Sequence, residues 1–94
     1  TSGILTGTTA TIGGGSLASR ACTSGTATVT GVTTSMAIVV TPSAPVGTND
    51  NTVTDNWLWY GYRSGTNTVT VRVCNGTGIT STPAGVAYNV RAIP

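Results

Sequence analysis

Apolar and polar residues alternate along much of this chain with a period of two, which is the pattern of strands with one buried face. Thr26-Ala27-Thr28-Val29-Thr30 puts its threonines on one side and Ala27 and Val29 on the other. Thr68-Val69-Thr70-Val71-Arg72-Val73-Cys74 repeats the pattern, with valines facing in and Thr and Arg facing out. Trp57–Arg63 reads as an aromatic strand, in which alternation sends Trp57 and Trp59 to one face and Tyr60 and Tyr62 to the other. Ser64-Gly65-Thr66-Asn67 between these segments is turn chemistry, so the two are expected to form a hairpin. Met36–Thr41 holds a continuous apolar run and predicts a strand buried on both faces. Ser16–Cys22 and Val86–Ile93 complete the set of expected strands.

Loops punctuate this text. Pro42–Thr54 carries two prolines, one glycine and the polar cluster Thr48-Asn49-Asp50-Asn51, and Asn75–Gly85 is rich in Gly, Thr and Pro. Composition does not shift along the chain, so residues 1–94 read as a single domain. Residues 1–15, ending in Gly13-Gly14-Gly15, read as its first strand and a corner, as a lead-in from an upstream domain, or as an exchanged strand. Six to eight short strands with no helical period between them predict an all-β fold, an antiparallel β-sandwich of jelly-roll-like kind.

Composition sharpens this picture. Threonine, β-branched and suited to a pleated, half-exposed surface, fills more than a fifth of the chain. Only 6% of residues are charged, namely Arg20, Arg63, Arg72, Arg91, Asp50 and Asp55. There is no His to act as a general base and no Lys to act as a nucleophile, which argues against an enzyme. Four dispersed arginines neutralise little phosphate, so nucleic acid is not expected as a partner. The longest apolar run is far shorter than the roughly 20 residues a membrane-spanning helix needs, so membrane insertion is not expected. Charge normally keeps sheet edges apart, and its scarcity suggests edges and faces occupied by partner chains.

Four groups of residues carry candidate chemistry. Cys22 and Cys74 fit no metal-ligand spacing; they read as a disulfide or as two buried thiols. The disulfide, the favoured reading, would close a loop of about 50 residues and stabilise the fold by roughly 4 kcal/mol. Of Trp57, Trp59, Tyr60 and Tyr62, the Trp pair reads as the main core of a chain without Phe; alternatively the group reads as a platform for a sugar ring or partner chain, with Arg63 or Asn56 as its polar handle. Asp50 and Asp55 lie in an oxygen-rich loop whose chemistry suits a weak calcium site, although turn formation accounts for the same residues; no other cofactor is implied. Asn75-Gly76-Thr77 matches the N-glycosylation pattern, and its Asn-Gly pair equally reads as a turn.

The run 67–75 (Asn-Thr-Val-Thr-Val-Arg-Val-Cys-Asn), closed by Ala87-Tyr88-Asn89-Val90-Arg91, resembles the end of small domains at the C-termini of phage tail fibres and tailspikes. Similar tails occur on bacterial proteins with pectate-lyase-like β-helices. The segments 21–31 and 36–42 fit the same pattern, so the resemblance spans about residues 16–94; the longer 45–56 loop departs from it. It implies a β-sandwich, homotrimerisation, and a place outside the cell or on a virion surface, with contact to a cell-surface glycan as a further expectation. Three functions follow as expectations: a non-catalytic module that trimerises or caps a fibre, a carbohydrate-binding module using residues 57–63, and a subunit of an extracellular filament whose N-terminal segment adds to a neighbour's sheet.

Overall fold

The computed structural model describes residues 3–44, 46, 57–76 and 78–94. Six strands form two antiparallel three-stranded sheets packed as a sandwich: β1 (Leu5–Thr8), β2 (Cys22–Thr28), β3 (Ala37–Pro42), β4 (Trp57–Gly65), β5 (Thr68–Asn75) and β6 (Tyr88–Ile93). One sheet runs β1-β6-β3 and the other β2-β5-β4. Only β4 and β5 are joined as a hairpin within one sheet; every other connection crosses between the sheets. Residues 57–74 therefore form the hairpin their sequence predicts.

The two central strands supply most of the core. Val69, Val71 and Val73 of β5 are fully buried, and Tyr88, Val90 and Ala92 of β6 face them from the other sheet with no exposure. Ala27, Val29, Val32, Ile12 and Trp57 fill in around these rows. Each fully buried valine or larger side chain is worth roughly 1.5–3 kcal/mol of apolar transfer, so the two rows account for much of the cohesion.

Three expectations need correction. Met36–Thr41 does not form a strand buried on both faces. β3 lies at a sheet edge and alternates, with Ile38 and Val40 turned inward while Val39 is 43% exposed. A short apolar run looks the same whether one or both faces are covered; here the second sheet covers only one. Ser16–Cys22 is not a strand; Leu17 makes a single bridge to Ser81, the chain turns at Ser19–Arg20, and β2 starts at Cys22. Trp59 is not core in the way Trp57 is, being 37% exposed against 8%.

Within β1-β6-β3, Leu5–Thr8 pairs with Ala92–Asn89 of its own chain, and Thr9 N and Ile12 N continue the contact by donating to the Tyr88 and Val86 carbonyls. The hairpin tip is tied down by Asn67, which takes a left-handed conformation (φ 57°) that Asn tolerates better than most residues. Its Oδ1 accepts from Gly31 N at 2.9 Å and its carbonyl accepts from Val29 N at 2.8 Å. The tip of one hairpin thereby holds the end of β2.

Cys22 and Cys74 are directly opposed across β2 and β5, with Cα atoms 4.0 Å apart, and are joined by a disulfide. The bond lies on the outer face of its sheet, because Cys74 follows the inward Val73. Replacing both cysteines (Cys22→Ser with Cys74→Ser) should reduce the unfolding free energy by about 4 kcal/mol in urea titrations, given the long loop that the bond closes.

Gly61 breaks the run of aromatic residues in β4 for a steric reason. A Cβ there would sit 2.6 Å from Val40 Cγ2 and 3.3 Å from Ile38 Cγ2 on the opposite sheet. The missing side chain lets β3 close over the end of β4. Gly61→Ala should therefore destabilise the domain by about 1–3 kcal/mol through overpacking, measurable as a lower urea midpoint with an unchanged slope.

Candidate functional site

The register of β4 on β5 distributes the aromatic residues. Trp57, Trp59, Gly61 and Arg63 pair with Asn75, Val73, Val71 and Val69, so they share the core-side face. Leu58, Tyr60 and Tyr62 pair with Cys74, Arg72 and Thr70 on the outer face. Trp59 leans across the sandwich toward the other sheet, its ring centroid 6.4 Å from that of Tyr88 at a tilt of 52°.

The outer face of β2-β5-β4 carries side chains in register across three strands. Leu58, Tyr60 and Tyr62 run along edge strand β4 at 56%, 50% and 43% exposure. Tyr60 and Tyr62 stack with centroids 6.3 Å apart and an interplanar angle of 27°. Arg72 stands in the central strand between Tyr60 and Ser24, and threonines 26, 28, 68 and 70 extend the surface with hydroxyls. Thr70 Oγ1 donates to Ser64 Oγ at 2.7 Å, which fixes one of them. Such a face offers aromatic planes, hydroxyls and one cation.

A second feature opens beside it. Where the start of β3 meets the far half of β4, Thr33, Thr34, Met36, Ile38, Gly61, Tyr62 and Arg63 surround a notch of about 340 Å³. Arg63 enters it from the core-side face of β4, and its Nε is covered by protein without a hydrogen-bond partner. Arg72 Nε is in the same state. The described residues include all four arginines and no carboxylate side chain, since Asp50 and Asp55 are the chain's only acidic residues.

Those two aspartates, and with them the calcium site the sequence suggested, lie outside the described residues. Among the described residues, no three His, Cys, Asp or Glu side chains come together to hold a metal. Asn75 is only 1% exposed, and its Nδ2 donates to the carbonyls of Leu17, Ala18 and Ile79. This amide organises the two loops beside the disulfide, and the folded chain does not present it for glycosylation. The buried amide, the notch and the core-side Arg63 were all missed by strand alternation, which treats polar residues as outward.

Tyr88 sits at the boundary between core and site. Its hydroxyl is buried without a hydrogen-bond partner among the described residues, and burial pushes its phenol above the usual tyrosine value. The folded state therefore keeps this proton at alkaline pH where the unfolded chain has lost it, and stability falls as pH rises from about 10 toward the folded value. Tyr88→Phe should be as stable as the parent or more stable, by up to about 1 kcal/mol at neutral pH. It should also show a flatter alkaline decline in urea titrations. A clearly less stable Phe variant would show that the hydroxyl has a partner.

Comparison with known proteins finds no matching family, no matching curated protein and no matching solved structure, so the functional reading rests on this geometry and chemistry.

Proposed function

We propose that this domain is a non-catalytic assembly module that trimerises or caps the end of a secreted or phage-tail-fibre-like fibrous protein. The observation that carries the reading is the row Leu58, Tyr60 and Tyr62, exposed side by side on the nine-residue edge strand β4. An edge strand offers unpaired backbone groups, and β4 has only Arg63 as a charged side chain. Tyrosines on a weakly charged face provide contact area at low entropic cost. A second copy of this chain is the occupant in view, because the surface has little charge to keep copies apart. The absence of His, Lys and Glu supports a non-catalytic role, and the Cys22–Cys74 disulfide suits an extracellular or virion-surface setting.

A second reading has one observation in its favour. The stacked Tyr60–Tyr62 pair beside Arg72 has the form of a carbohydrate platform, in which aromatic faces meet the apolar side of a sugar.

Light scattering should give a mass about three times that of the 9.3 kDa chain, and Tyr60→Ser with Tyr62→Ser should return it to the monomer while the domain stays folded. A strictly monomeric, folded parent at high micromolar concentration would refute the assembly reading. Binding to a glycan array by that monomer, lost in the double variant, would establish the second.

A further inference from the structure

An arginine whose backbone position faces the core needs an explanation. Arg63 pairs with Val69, a fully buried residue, so its backbone position is on the core side of β4, while its side chain lines the notch. It is half-buried, and its Nε has lost water without gaining an acceptor. Among the described residues its Nε has no hydrogen-bond partner, and no carboxylate side chain occurs among them. A covered donor without an acceptor is costly. The place where this guanidinium stands is the 340 Å³ notch between β3 and β4, within the size range of small-ligand sites.

The other walls of the notch restrict what could enter. Thr33 and Thr34 are exposed and bring two hydroxyls, one of them already oriented, since Thr33 Oγ1 and Ser35 Oγ are hydrogen-bonded at 3.1 Å. Met36 and Ile38 form an apolar wall, and the Tyr62 ring, 43% exposed, stands at one side. A planar anion satisfies a guanidinium best through two parallel N–H donors. Hydroxyls facing an apolar wall suit a ring with hydroxyls on its rim and C–H groups on its face.

We propose that the notch between β3 and β4 binds a carboxylate-bearing sugar, a uronic-acid-type ring. Arg63 takes the carboxylate, Thr33 and Thr34 take ring hydroxyls, and Met36, Ile38 and Tyr62 cover the apolar face. This site shares Tyr62 with the outer-face platform, but its anion and hydroxyl contacts come from Arg63, Thr33 and Thr34, which lie outside that platform.

The test is a titration of the whole chain, followed by amide NMR, with methyl glucuronide, methyl glucoside, a sulfated glucoside and acetate. The expected result is saturable shifts at Thr34, Gly61 and Arg63 with methyl glucuronide in the millimolar range, and much weaker effects from the other three. Arg63→Gln should weaken binding about tenfold or more, as expected for a lost charge-assisted pair. Thr34→Val should weaken it about threefold, and it keeps the test alive should the arginine variant fold poorly. Tyr60→Ser should leave it unchanged, which separates this site from the platform. Equal binding of the neutral or sulfated sugar, or of acetate, would overturn the assignment. So would the absence of binding, or affinity unchanged in Arg63→Gln. If that variant instead aggregates without any change in sugar binding, the core-side arginine protects the β4 edge and the notch is no site.

Discussion

The whole structure depends on two rows of side chains meeting face to face. Val69, Val71 and Val73 from the middle of one sheet oppose Tyr88, Val90 and Ala92 from the middle of the other, and none of the six is exposed. A chain of 94 residues buries a modest fraction of its surface, so the central strands must be covered on both sides by neighbours to keep that contact dry. The edge strands have less to bury. β1 and β3 give only alternate residues to the core, and β4 gives Trp57 and part of Trp59. Their remaining apolar side chains, Val39, Leu58, Tyr60 and Tyr62, are left on the outside. The surface that supports the functional reading is thus a by-product of how narrow the core is.

The polar residues that interrupt this plan are few and have specific duties. Asn75 ends β5 and ties three carbonyls of two loops to it, next to the disulfide that staples β2 to β5. Asn67 holds the hairpin tip to the end of β2. A small domain with so little core gains from these cross-links because each one limits the freedom of a long connection between sheets. Arg63, on the core-side face of β4, has no acceptor for its Nε among the described residues, a state it shares with Arg72.

Charge is sparse on the described surface. The described surface carries four arginines and no carboxylate side chain, and two of the four are half-buried on the β4–β5 hairpin beside aromatic residues. A partner with a planar anion and apolar area would meet complementary groups there, whereas a strongly basic partner would not.

Much of the fold was legible in the chain. Period-two alternation located β5 and the buried side of β2, because a strand with one dry face must repeat every second residue. The turn at residues 64–67 showed the hairpin, and parity alone put the two tryptophans opposite the two tyrosines. The pairing of Cys22 with Cys74 was one of two readings that the residues allowed. Tertiary structure decided between them by setting the register that opposes the two cysteines. It also decided which strands lie at edges, and so how much of Val39 and Trp59 meets water. Alternation records which side of a strand is apolar. Whether a second sheet reaches far enough to cover that side depends on contacts between residues distant in the chain, such as Gly61 with Val40. The notch around Arg63 belongs to this second kind of information, since its walls come from β3 and β4, which meet only when the two sheets close.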